Sequence, residues 1–261
     1  MNRKSLVVLA SFIGLAFVLP AHAGRGVSAV RAPSESFESA RLRNSHATIF
    51  DFDGLVTPVD AKKPLRSLNI SEIPEVSSYE ELVQEFYYIR DTRFMQSDRP
   101  NFMRRMTWMY PDDGCYARAE LASDFLQDHH YATPKKMFAF GNLHAKSTNS
   151  PSGDVSWWYH VAVTYRVKNV VYILDPALMP ARPMTLQEWN DAIGGARANV
   201  KYSICEAGTF DPDSDCERPD NMKEEDAEMN QREFFPLEWD RLLELNRDPV
   251  QELGNNPPWG H

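Results

Sequence analysis

Three side chains suited to nucleophilic acyl chemistry stand out from a chain otherwise rich in acids and aromatics: Cys115 in YPDDGCYARAE, His160 in WWYHVAV and Asp175 in ILDPAL. A thiol attacks as its thiolate, and a helix N-terminus favours that form because unpaired N–H groups and the helix dipole attract negative charge. Asp112 and Asp113 oppose this by charge, unless one of them is tied up as the helix cap. A neighbouring imidazole that takes the thiol proton resolves the conflict. A carboxylate bonded to the far nitrogen of that imidazole fixes its tautomer.

The elements that must position these groups are readable. A helix fits Cys115 to about His129, with Ala119, Leu121, Ala122, Phe125 and Leu126 inward and Glu120, Asp124, Gln127 and Asp128 outward. Strands fit residues 137–145, 157–167 and 170–178, and short helices fit 185–193 and 234–245. In the second strand, alternation puts Trp158, His160, Ala162 and Thr164 on one face. If Lys168-Asn169 is a two-residue hairpin turn, opposed residues have numbers summing to 337. Asp175 then lies diagonal to His160 on the same face, within reach of the ring. Spacing alone leaves a second reading open, a buried thiol and a hydrogen-bonded core histidine. Upstream, Ser78 with Glu81 fits a capping box that opens a helix running to about Ile89. One cysteine-bearing helix against an antiparallel sheet is an α+β pattern.

The N-terminus carries a basic pair, Arg3-Lys4, an apolar run from Leu6 to Leu19 and Ala21-His22-Ala23, the pattern of a cleaved signal peptide over residues 1–23. Secretion or a periplasmic location follows as an expectation. Removing 23 residues from 261 leaves 238, and losing Arg3 and Lys4 moves the formal charge from −9 to −11. That surface repels phosphate backbones and excludes nucleic acid as a natural partner. No later stretch is apolar enough to span a membrane, and a monomer is the expected state. Of the three cysteines, Cys205 and Cys216 flank the turn-rich EAGTFDPDSD and are placed for a disulfide, which leaves Cys115 as the odd thiol. Residues 211–231 are strongly acidic and read as a solvated excursion.

YPDDGCYARAE, FGNLHA, WWYHVA and ILDPAL, in that order, resemble the bacterial protein-glutaminase family, secreted enzymes that deamidate glutamine side chains in proteins. The resemblance runs from about Ile73 to Trp189 and includes Pro183-Met184-Thr185. It implies a transglutaminase-like core, protein or peptide glutamine substrates, no cofactor and no metal, with Cys115 as nucleophile, His160 as acid and base, and Asp175 as its orienting carboxylate. Trp157 and Trp158 are candidates to flank a substrate groove. Glu120 departs from the family pattern, which has histidine there, and nothing beyond about residue 200 aligns.

The resemblance also divides the chain into the leader, a pro-like segment and linker over 24–72, and a catalytic domain over 73–261. Within the segment, residues 46–52 read as a strand. VDAKKPLRSLNISEIP, rich in proline and basic residues, reads as a linker open to proteases. Two other activities share some of these features. A transglutaminase passes the same acyl-enzyme to a lysine amine, and a catalytically silent binding protein keeps the fold without the reaction. A third, phosphatase reading rests on Asp51, Asp53 and Gly54, which mimic a haloacid-dehalogenase nucleophile loop, but the accompanying acid pair and βαβ alternation are missing.

Overall fold

The structure is a computed structural model. It describes residues 26–45, 62–97, 99–210, 212, 216, 224–255 and 257–259. The leader, the expected strand at 46–52 and the Asp51/Asp53 motif lie outside the described residues.

In chain order the helices are α1 (Phe37–Ser45), α2 (Tyr79–Asp91), α3 (Cys115–Asp128), α4 (Leu186–Ala192), α5 (Gly195–Ala198), α6 (Glu224–Glu244) and α7 (Pro249–Leu253). The strands are β1 (Met95–Gln96), β2 (Met103–Arg104), β3 (Lys135–Lys146), β4 (Asp154–Val167), β5 (Val170–Leu174), β6 (Met184–Thr185) and β7 (Lys201–Glu206). Five of them form one antiparallel sheet in the order β6-β5-β4-β3-β7, and β1 pairs with β2 apart from it. α3 packs on β4, the central strand, and α6 packs on α3. This is the α+β arrangement expected. Every connection within the sheet is antiparallel, which removes the βαβ basis of a phosphatase reading.

The β4–β5 hairpin has the expected register, with Val167 opposite Val170 and Val163 opposite Leu174 around the Lys168-Asn169 turn. Ser78 caps α2 by accepting from the Glu81 N–H at 3.1 Å. The reciprocal half of the capping box is missing, because the Glu81 carboxylate accepts from the Ser77 hydroxyl. The reciprocal box forms instead at α4, between Thr185 and Glu188.

Four expectations change. Glu120 is not outward: it is buried and pairs with buried Lys136, whose ammonium also donates to the Thr209 carbonyl at 2.9 Å. A buried charge of this kind survives only with a partner. α6 starts ten residues before the expected 234, so the end of the acidic stretch is helical, with Asn230 and Gln231 buried. β7 adds an edge strand that was not anticipated. Trp157 and Trp158 are core rather than groove walls, at 1% and 0% exposure.

The N-terminal stretch is woven into this core. The Trp158 N–H donates to the Ala29 carbonyl and the Arg31 N–H to the Ser156 carbonyl, so residues 29–31 extend the sheet beside the first half of β4. The buried Arg31 guanidinium donates to the Trp157 and Leu143 carbonyls. Phe37 of α1 packs on Trp158, with ring centroids 5.9 Å apart. No helix among the described residues is long and apolar enough to cross a membrane.

Candidate active site

Cys115 is the first residue of α3. Gly114 caps the helix in the left-handed region at φ 78°, where a side chain is strained, and provides no side-chain acceptor for the helix N–H groups. Neither nearby aspartate is the cap. Asp113 accepts from the Gly114 N–H at 2.8 Å, the Ala29 N–H at 3.0 Å and the Ser28 hydroxyl at 2.5 Å. Asp112 accepts from Arg241 of α6 at 2.6 Å.

His160 lies on β4 and Asp175 one residue past β5. The imidazole Nε2 is 2.7 Å from Asp175 Oδ2, and that same oxygen accepts from Trp189 Nε1 at 2.9 Å. The hairpin register thus brings the two together as the numbering required. All three chemical residues are closed to solvent: Cys115 is 2%, His160 1% and Asp175 3% exposed.

Burial alone would depress the His160 imidazole. The Asp175 charge and hydrogen bond outweigh it, with a smaller contribution from Cys115, and hold the ring above its ordinary value. For Asp175, burial pushes upward, but His160, the Trp189 N–H and more distantly Arg118 pull the carboxyl below its ordinary value. Charged imidazolium and charged carboxylate are therefore the favoured pair. The thiol adds to the upward shift by hydrogen bonding and by charge, although Nδ1 meets no partner at full hydrogen-bond geometry in this closed arrangement.

Two tryptophans lie against the imidazole. Trp157 stacks on it at 4.6 Å and 12°, and Trp189 lies at 5.8 Å and 28°. Regular alternation would send Trp157 to the face opposite His160. β3 carries one extra residue where Phe140 to Leu143 run opposite Tyr159 to Trp157, so the pairing is irregular beside these two rings. Trp157 Nε1 also donates to the Pro111 and Asp112 carbonyls, both at 3.0 Å, so it links β4 to the loop before Cys115. Trp158 points instead to the Ser28 carbonyl, at 2.7 Å.

Arg118, one turn into α3, gathers the same loop. Its Nη1 donates to the carbonyls of Asp113 at 2.8 Å, Tyr110 at 3.2 Å and Thr107 at 3.3 Å. Its Nη2 is buried without a partner beside a cavity of about 10 Å³ that Arg118, His160, Asp175 and Trp108 line. That space is roughly one water molecule in size. Sequence reasoning did not assign Trp189, Arg118 or Arg241. The first two fall within the stretches that carry the family resemblance; Arg241 lies beyond it.

Cys205 and Cys216 are disulfide-bonded, at the end of β7 and in the loop that follows. The bridge belongs to the sheet edge beside the Lys136–Glu120 pair. The Glu120 departure thus concerns packing against β3 rather than the thiol–imidazole–carboxylate group.

A buried thiol at a helix start, an imidazole on β4 and a carboxylate just past β5 form a set suited to thiol-dependent acyl chemistry. A family model described as glutaminase matches residues 82–193, which contain all three groups. Among solved structures, the solution structure of protein-glutaminase from Chryseobacterium proteolyticum is 32% identical over 53% of this chain and 75% of that one, with a TM-score of 0.42. A crystal structure of pro-protein-glutaminase is 28% identical over 52% of this chain, with a TM-score of 0.42. The chain spans about half of the length of that pro-protein, 50%. No curated protein matches. Over residues 82–193, the stretch that holds Cys115, His160 and Asp175, the chain is similar to the glutaminase family.

Proposed function

We propose that this chain hydrolyses the side-chain amide of glutamine in proteins or peptides, giving glutamate and ammonia through a thioester on Cys115. The observation that carries the reading is the His160–Asp175 contact beside the Cys115 helix start, inside the stretch that the glutaminase model matches.

The Cys115 thiolate adds to the γ-carboxamide carbon. Negative charge develops on the amide oxygen, and the N–H groups at the start of α3 are the preorganised donors nearest to it. His160, as imidazolium, gives its proton to the departing nitrogen, the C–N bond breaks, and ammonia leaves. The neutral imidazole then takes a proton from water as the water oxygen attacks the thioester carbonyl. The C–S bond breaks, glutamate is released and the thiolate returns. Asp175 holds the ring and stabilises its charged form, and the two flanking tryptophans prevent the ring from rotating away.

The leader pattern supports secretion or export to the periplasm. The closed site supports restraint by residues 24–72, since Ser28 and Ala29 grip Asp113 beside the nucleophile. A pro-form is also known for the pro-protein-glutaminase structure to which the chain is similar.

The test is ammonia release from a glutamine-containing protein such as casein, with wild type compared with Cys115→Ser. Loss of ammonia in a variant that unfolds normally is the expected result. Ammonia release by the serine variant at the wild-type rate rejects the assignment, and cross-linked protein in place of ammonia turns it to acyl transfer onto lysine.

A further inference from the structure

α6 lies beyond the stretch that the glutaminase model matches, yet it holds the loop that delivers Cys115. Gln231, Phe234, Glu238 and Arg241 are spaced three, four and three residues apart, which puts them on one helical face. Gln231 Oε1 accepts from the Thr107 N–H at 2.9 Å and the Thr107 hydroxyl at 3.0 Å. Glu238 accepts from the Met109 N–H at 2.8 Å and pairs with buried Arg104. Phe234 stacks on Tyr110 at 5.9 Å and fills the space over Gly114. Arg241 Nη1 donates to Asp112 Oδ2 at 2.6 Å and to the Asn149 carbonyl at 2.7 Å.

The last contact solves an electrostatic problem that the sequence poses. Two carboxylates stand two and three residues before a thiol whose reactivity depends on carrying negative charge. Asp113 spreads its charge over two backbone N–H groups and a hydroxyl. Asp112 has the Arg241 guanidinium, whose side chain is 12% exposed, so water screens the pair weakly. Other charged groups nearby are Arg118, which is committed to carbonyls of the loop, His160 with its partner Asp175, Glu244, which is 3.5 Å from Arg241 Nε, and Arg247, which pairs with Glu252 and donates to Asn149 Oδ1.

We propose that Arg241 is a positioning residue for the reaction: it cancels the Asp112 charge beside the Cys115 thiolate and fixes the 107–114 loop, which makes α6 part of the functional site. The proposal rests on the reading of Cys115 as nucleophile and not on the identity of the substrate.

The test is the second-order rate of Cys115 alkylation by iodoacetamide at pH 7 on the full chain, with ammonia release from casein measured in parallel. Cys205 and Cys216 are bridged, so Cys115 is the free cysteine that reports. Arg241→Gln is expected to slow alkylation about five- to tenfold, the effect of one weakly screened charge at short range. Arg241→Lys keeps the charge and stays within about threefold of wild type. Asp112→Asn together with Arg241→Gln returns the rate to within about twofold, which a purely structural role for Arg241 would not do. An unchanged rate in Arg241→Gln overturns the proposal, as does a double variant as slow as the single one. If the alkylation pattern holds while no form releases ammonia, the role of Arg241 stands and the glutaminase reading falls.

Discussion

The Phe234 ring closes over Gly114, so that a methyl group on that glycine would lie 2.8 Å from Cε2 and 2.9 Å from Cδ2. The ring is 1% exposed and packed against Tyr110 and Tyr116, which leaves it no room to retreat. The residue before Cys115 is therefore glycine for two reasons, its positive φ of 78° and the approach of α6. Gly114→Ala is expected to lose about 2–4 kcal/mol of unfolding free energy, from left-handed strain and overpacking together. Denaturant unfolding measures it. Phe234→Leu added to Gly114→Ala should recover the packing part, and a single variant as stable as wild type would contradict both reasons.

The His160–Asp175 contact predicts a kinetic signature. Asp175→Asn keeps the shape but removes the charge that favours imidazolium, and its amide can turn an N–H toward the ring. Turnover should fall about a thousandfold or more with little change in KM. A change confined to KM would make Asp175 a substrate-binding group.

Glu85 gives a pH prediction away from the chemistry. It is buried in α2, its Oε2 has no hydrogen-bond partner, and burial, helped by Glu81, raises its carboxyl from the ordinary 4.5 to about 7. A carboxyl raised in the folded state binds its proton more tightly there than in the unfolded chain. Its contribution to stability is thus complete below about 4.5 and is lost as pH rises through about 7. Glu85→Gln removes that loss. At pH 8 the variant should melt several degrees above wild type, on the order of 2 kcal/mol, and the gain should vanish at pH 4. An equal or lower melting temperature at pH 8 would show that the carboxylate has found compensation.

What the sequence disclosed follows from where its rules are strict. A two-residue turn at Lys168-Asn169 fixes a hairpin register, and that register alone put Asp175 beside His160. The start of α3 was legible from the acidic turn, the glycine and the apolar spacing after it. The stacking of Trp157 on His160 was not, because regular alternation along β4 sends the two side chains to opposite faces. α6 was half hidden for a different reason. Its face toward the nucleophile loop reads glutamine, phenylalanine, glutamate and arginine, since it binds backbone groups and charges rather than a hydrocarbon surface. Hydrophobic periodicity is silent about a face of that kind, so the apolar pattern marks the helix only from Phe234 while α6 begins at Glu224.

The N-terminal segment supplies the last prediction. Residues 26–31 touch the surroundings of Cys115 at several points. Gly26 lies against the Tyr116 ring, Ser28 and Ala29 bind Asp113, and the Val27 carbonyl accepts from the Tyr159 hydroxyl. Farther on, Lys63 bridges to Tyr202 at the outer edge of β7, and residues 65–72 form two short 3-10 turns that are exposed or half-buried. Such turns are open to a protease, while the contacts at 26–31 would keep the severed piece in place for a time. Limited proteolysis between Asp60 and Pro74 is therefore expected to act in two stages. The cut alone changes ammonia release little, and activity rises as the fragment leaves the folded core, followed by size-exclusion chromatography on the same samples. If activity falls as the fragment leaves, residues 26–31 are a permanent part of the sheet and the site opens by another route.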